Sequence, residues 1–124
     1  MTQNWLEVEV LTELSRIELK VNGELSLPFL WKVMAAVEAT PGADPTYDLL
    51  FDGSGLDVEH ADVEEISRFE GKVPTRRSRL AIVAPSDLQF GVGKMYEAWS
   101  QQMASREMQI FRDVDQARVW LGGD

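Results

Sequence analysis

The sequence contains no cysteine and only one histidine, His60. The first absence excludes disulfides, iron–sulfur clusters, thiolate zinc sites and cysteine nucleophiles, and the second removes most histidine-based metal sites. No apolar run approaches the roughly 20 residues that span a bilayer, and the start Met1-Thr2-Gln3-Asn4 does not have the pattern of a signal peptide. We therefore expect a cytoplasmic protein with neither a metal nor another cofactor.

Basic residues are scarce as well: 12 Lys and Arg stand against 21 Asp and Glu, which gives a net charge of −9. Nucleic-acid phosphates require a basic surface, so we expect no nucleic-acid partner. Residues 71–86 depart from this balance, because they carry no acid and four bases: Lys72, Arg76, Arg77 and Arg79. Such a run is usually a solvated face, but it also fits an anion site or a contact with an anionic membrane surface.

Five segments have the patterns of β-strands. Trp5–Val10 and Ile17–Val21 alternate apolar and polar residues, as half-buried strands do. We expect these two to pair antiparallel, with the second ending in a turn at Asn22-Gly23. Residues 47–52 and 80–84 are predicted to be mainly apolar strands, as expected where both faces of a sheet are covered. Residues 108–111 form the last predicted strand.

Four helices are predicted between and after these strands. Ser26 caps the first, Pro28 lies in its first turn, and the helix runs to about Ala39. The other three begin near Val63, at Ser86 or Asp87, and at Asp113. The order β-β-α-β-α-β-α-β-α predicts an α/β fold with a five-stranded, mostly parallel mixed sheet and four helices.

The first helix is apolar almost all round. Lys32 and Glu38 are nearly its only polar side chains, so we expect one side to face the sheet and another to face a partner or an apolar ligand. Methionine and tryptophan residues at helical spacing in the third helix are expected mainly in the core. Such side chains also line pockets for apolar ligands. The candidate ligand or partner surface comprises Phe29, Trp31, Val33, Met95 and Trp99.

Two stretches carry a family resemblance. One is Leu80–Ala84 leading through Phe90-Gly91 to Lys94–Ala98, and the other is Ile110–Asp113 followed by Ala117 and Trp120-Leu121. They resemble the STAS-like domain family, in its SpoIIAA-like branch of small bacterial proteins, and the likeness spans residues 15–121. It implies that residues 1–124 form a single STAS-like domain that docks to a partner. Regulators of this family carry a phosphorylatable serine where this chain has Ala61, so we expect no phosphorylation switch there.

No motif specifies catalysis. Phe90–Lys94 lacks the first glycine and the final Ser or Thr of a phosphate loop, and glycines that let a helix pack closely on a sheet are the better interpretation. Asp52–Gly55 has the composition of a tight turn, and less often of an anion-binding loop. His60 and Glu64 are four residues apart, but zinc sites usually need three or more protein ligands.

The sequence therefore predicts a non-enzymatic interaction or ligand-binding module. The expected partners are another protein, a second copy of the chain or an apolar small molecule. The alternative is a membrane-peripheral carrier of a lipid-like ligand that uses the Leu27–Val37 helix and the basic run. Similarity of the implied fold to CRAL-TRIO lipid-transfer domains supports the alternative by analogy. On either interpretation, we expect Phe29→Glu to weaken binding more than folding.

Overall fold

A computed structural model describes residues 4–72, 78–101 and 107–123, and these form one five-stranded mixed sheet with four helices. The strands lie side by side in chain order, so the first and the fifth are its edges. The first pair is antiparallel and the other three pairs are parallel, which confirms the predicted fold class. The strands are β1 (Trp5–Leu11), β2 (Arg16–Glu24), β3 (Asp48–Asp57), β4 (Leu80–Val83) and β5 (Met108–Phe111).

The helices begin close to the predicted positions because their first turns carry local capping signals. Ser26 accepts a hydrogen bond from the backbone N–H of Phe29 at 3.2 Å, and Ser86 forms a reciprocal capping box with Gln89. Asp113 caps the last helix by accepting a hydrogen bond from the backbone N–H of Asp115 at 2.8 Å. The helices are α1 (Leu27–Ala39), α2 (Val63–Lys72), α3 (Asp87–Ser100) and α4 (Val114–Trp120).

The two faces of the sheet carry different helices. α1, α2 and α3 cover one face, which we call the three-helix face, where Leu19 and Leu49 pack under α1. α4 alone packs on the other face, which we call the α4 face, against Leu50, Ala81 and Phe111. The units β2-α1-β3, β3-α2-β4 and β4-α3-β5 are parallel crossovers that all advance in the same direction across the sheet. Because such crossovers are right-handed, their three helices lie on the same face.

The strands β2 and β3 are longer than predicted, and neither predicted turn forms. β2 continues through Asn22-Gly23, and β3 continues through Gly53-Ser54-Gly55. Their parallel register shifts between Lys20 and Asn22, which marks a bulge. A Cβ on Gly55 would lie 2.7 Å from the carbonyl oxygen of Val21, so glycine permits a close approach of the strands there.

Candidate functional site

Two members of the predicted partner surface, Phe29 and Val33, lie in the core instead. They are 4% and 5% exposed, and they pack against the three-helix face of the sheet. α1 buries a wide arc of its circumference, and Pro28 and Ala35 are among its outward residues. Small apolar side chains such as these expose little apolar area, so the outer side of α1 can be apolar in sequence without presenting a large apolar surface at these positions.

Trp31 is the member of the predicted surface that α1 leaves partly exposed, at 39%. Its indole meets the ring of Phe69 in α2 edge to face, with centroids 4.8 Å apart and planes at 72°. Phe69 itself is buried. Trp31 therefore shields the contact between α1 and α2 while one side of its ring remains in solvent.

Met95 and Trp99 lie on the outer side of α3, where they are 51% and 42% exposed. Leu88 precedes them at helical spacing and is 56% exposed. These three residues form an apolar stripe along one helix, whereas Trp31 belongs to another helix and contacts Phe69. The five residues predicted as one surface are thus divided between the core, the α1–α2 contact and the outer side of α3.

An apolar cavity of about 110 Å³ lies between the three-helix face of the sheet and α1, α2 and α3. Val33 and Met34 of α1, Ile66 of α2 and Val92 of α3 are among the side chains that line it. Its lining is almost entirely apolar, and Gln89 and Tyr96 supply the polar side chains. A space of this kind, with few polar groups, favours an apolar occupant.

Gln89 lines this cavity where β3 meets α3. The two N–H groups of its side-chain amide are shared among the carbonyls of Gly53, Ser54 and Leu56, which lie 3.2, 3.0 and 3.0 Å from the amide nitrogen. Its side-chain oxygen accepts from the backbone N–H of Ser86 at 3.1 Å. The first turn of α3 is thereby fixed to the extended second half of β3.

Arg79 of the predicted basic patch is bound within the protein. Arg79 donates to the carboxylate of Asp48 at 3.0 Å and to the carbonyls of Trp120 and Leu121 at 2.7 and 3.0 Å. Its guanidinium also lies 5.3 Å from the centre of a Trp120 ring. Arg79 thus holds the end of α4, which corrects its assignment to an anion or membrane patch. Lys72 is exposed, and Arg76 and Arg77 lie outside the described residues.

A second group of charges lies on the α4 face. Glu18 is bound by Arg16, which is 2% exposed, at 3.2 Å, and by Arg118 of α4 at 2.9 Å. Burial would raise the pKa of the Glu18 carboxyl, but the hydrogen bonds from Arg118 and Arg16 outweigh it and hold the pKa below its usual value. The hydrogen bond to Glu18 in turn raises the pKa of Arg118. Arg16 also donates to the carbonyl of Gly123, so this cluster stabilises the end of the chain that follows α4.

Within residues 4–72, 78–101 and 107–123, no three His, Asp or Glu side chains group so as to hold a metal ion. His60 is exposed. In the same part of the chain, no helix has both the length and the apolar character to span a bilayer.

The sequence patterns do not single out Gln89 or the Glu18 cluster. The spacing of Ser86 and Gln89 is that of a capping box, and it signals the helix start. The contacts of Gln89 with β3 join residues 33 to 36 positions apart. Glu18 and Arg118 are 100 positions apart. Such pairs become visible only when the sheet is assembled.

Comparison with known proteins adds one informative likeness. No protein-family model matches the sequence, and no curated protein matches it. The crystal structure of an uncharacterised protein from the DUF3478 family of Shewanella loihica PV-4, which has a SpoIIAA-like fold, is similar to this chain with a TM-score of 0.56. The match has 22% sequence identity and covers 98% of this chain and 95% of that one. The chain therefore has the SpoIIAA-like fold that the residues of its second half predicted.

Proposed function

We propose that this protein is a non-enzymatic module that binds a small apolar molecule between its sheet and helices α1 to α3. The observation that carries the proposal is the cavity of about 110 Å³ beneath these helices. Apolar side chains from three helices and the sheet surround it, and its lining also includes Tyr96 and Gln89, whose amide is engaged with β3. A few polar groups in an apolar pocket orient a ligand without requiring it to be charged.

The size of the cavity limits the ligand. An apolar cavity of about 150 Å³ stays dry and binds benzene, whereas pockets for drug-sized ligands hold about 300–1,000 Å³. The space of about 110 Å³ suits an aliphatic or aromatic group of about five or six carbon atoms. A complete lipid would require the helices to move apart, and Arg79 is engaged with Asp48 instead of facing a membrane. Both observations favour the small ligand over the lipid carrier.

The proposal of a non-enzymatic role is supported by where the perturbed charges lie. Strongly shifted titratable groups often mark catalytic sites. In the part of the chain that the structure describes, shifted pKa values are found for Glu18 and Arg118, which pair with each other on the α4 face, whereas the cavity lies on the three-helix face. The amide of Gln89 is neither an acid nor a base near neutral pH, and its polar atoms are engaged with β3 and Ser86, so it is not suited to acid–base catalysis.

Filling the cavity tests the proposal. Val92 lines the cavity from α3, so Val92→Leu and Val92→Phe should occupy it progressively. We expect benzene to raise the melting temperature of the parent protein, to raise that of Val92→Leu less, and to leave that of Val92→Phe unchanged. Val119→Phe makes the same change at a position of α4 that is 74% exposed, and it should respond to benzene like the parent.

Other outcomes of these experiments would contradict the proposal or favour the lipid carrier. If benzene has no effect on the parent, or an equal effect on all variants, the cavity does not bind apolar molecules and the proposal is wrong. Native mass spectrometry of protein purified from cells separates the two ligand classes. A bound molecule with the size of the cavity supports the proposal, whereas a bound phospholipid or fatty acid establishes the carrier function instead.

A further inference from the structure

The strand β1 is an edge of the sheet, and the side chains on one of its faces share a preference for cations. Trp5, Glu7 and Glu9 alternate along the strand, so they lie on the same face. Trp5 is 41% exposed, and both glutamates are exposed. An indole ring attracts a cation through its π face, and a carboxylate attracts one through its charge.

The register with β2 shows that this row faces solvent on the α4 side of the sheet. Glu7 lies opposite Lys20 and Glu9 opposite Glu18. Glu18 already accepts hydrogen bonds from two arginines, so its charge is balanced. α4 packs on the other half of this face, against β3, β4 and β5, and leaves the β1 row accessible.

The opposite face of β1 is apolar. Leu6, Val8 and Val10 are half-buried and pack against the edge of the core beneath α1. A strand added beside β1 would place alternate residues next to these side chains and the remaining residues next to the Trp5, Glu7 and Glu9 row. Addition of a strand to a sheet edge takes its affinity from backbone hydrogen bonds and its specificity from the alternate side chains.

A second copy of this chain does not suit the edge. Antiparallel pairing of β1 with itself about Val8 would set Glu7 against Glu9, and pairing about Glu7 would set the two Glu7 residues against each other. Like charges directly opposite each other destabilise a strand pair. Acidic side chains thus oppose self-association at this edge while they remain complementary to a basic strand.

We propose that the outer edge of β1 binds an extended segment of another protein in which Lys or Arg alternates with apolar residues. The basic residues of this segment lie beside Trp5, Glu7 and Glu9, and its apolar residues extend the row of Leu6, Val8 and Val10. The net charge of −9 draws such a segment toward the chain from a distance. The pattern of its side chains then fixes its register along β1.

A designed peptide tests this proposal with the full-length chain. The probe is a fluorescein-labelled, amidated octapeptide of sequence RVRVRVRV, and its binding is measured by fluorescence anisotropy at 50 mM NaCl. A peptide of the same composition, RRRRVVVV, has the same charge without the alternation. We expect the alternating peptide to bind at least tenfold more tightly, and we expect amide exchange in residues 5–11 to slow when it binds.

Charge variants locate the site. Glu7→Gln with Glu9→Gln should weaken binding of the alternating peptide at least tenfold. Glu64→Gln with Glu65→Gln makes the same charge change on exposed positions of α2 and should alter binding less than twofold. Equal binding of both peptides, or equal losses in both double variants, would show attraction by net charge alone and overturn the proposal. A stable dimer formed through β1 in the absence of peptide would overturn it as well.

Discussion

The carboxylate of Glu18, in the second strand, accepts hydrogen bonds from the guanidinium of Arg118, in the last helix, at 2.9 and 3.3 Å. Arg16, beside it in β2, binds the same carboxylate and donates to the carbonyl of Gly123. Arg79 holds the carbonyls of Trp120 and Leu121 from the start of β4. Arg16 of β2 and Arg79, which precedes β4, thus bind carbonyls at and just beyond the end of α4, where the last carbonyls of a helix have no intrahelical partners.

The low pKa of Glu18 predicts a specific loss of stability in acid. Because this pKa is lower in the folded protein than in the unfolded chain, the pair contributes its full stabilisation above the usual glutamate value of about 4.3. The contribution disappears as the pH falls through the lowered value. Glu18→Gln leaves buried Arg16 without a charged partner, so it should lower the free energy of unfolding at pH 7 by about 2–4 kcal/mol.

Urea denaturation at pH 7 and pH 3 checks this prediction. The difference between the parent and Glu18→Gln should shrink at pH 3, because below about pH 4.3 the unfolded parent takes up a proton at this carboxyl, which offsets part of the stabilisation that the paired carboxylate gives the folded state. Asp115→Asn is the control, since Asp115 is 83% exposed and lies 3.8 Å from Arg118. Its effect should stay below about 0.5 kcal/mol at both pH values. A loss for Glu18→Gln that is equal at both pH values would mean that charge is not the source of the stabilisation.

The fold was predictable because most of its signals are local. Ser26, Ser86 and Asp113 cap helices through bonds to residues two or three positions away, and these spacings can be seen in the sequence. The run of bases containing Arg79 can also be seen. The role of Arg79 cannot be seen in the sequence, because its partners lie 31 to 42 positions away.

Glycine was the main source of error in the strands. Gly55 follows a strand pattern in a Gly-Ser-Gly sequence, which is typical of a turn. The same residue type also serves where two backbones approach closely, and only the neighbouring strand distinguishes the two uses. The apolar sequence of α1 did not show which of its side chains face the sheet, because Phe29 and Val33 are buried there while Trp31 stays partly exposed.

Substitution of two aromatic residues of α1 should distinguish the buried side of this helix from its exposed side. Phe29 is 4% exposed and packs on the sheet, so Phe29→Ala should cost about 3–5 kcal/mol of unfolding free energy. Trp31 is 39% exposed and loses mainly its edge contact with Phe69, so Trp31→Ala should cost about 1 kcal/mol. Chemical denaturation measures both. Equal costs, or a larger cost at Trp31, would show that the buried side of α1 has been wrongly identified.

The two glycines of α3 provide the last prediction, because they have the same backbone conformation and different surroundings. Gly91 faces solvent, and a Cβ there would meet nothing within 4 Å. Gly93 is buried, and a Cβ there would lie 3.0 Å from a methyl group of Ile110 in β5. Only Gly93 therefore serves the close packing of helix on sheet that the sequence suggested for the pair.

Alanine substitutions should consequently have different effects at the two positions. Gly91→Ala removes the entropic cost of glycine within a helix and should stabilise the protein by about 0.5–1 kcal/mol. Gly93→Ala gains the same helix propensity, but it forces α3 away from Ile110, and overpacking of a core typically costs about 1–3 kcal/mol. We expect the melting temperature to rise for Gly91→Ala and to stay level or fall for Gly93→Ala. If both variants were stabilised equally, α3 would not lie as close to β5 as the contact of Gly93 with Ile110 requires.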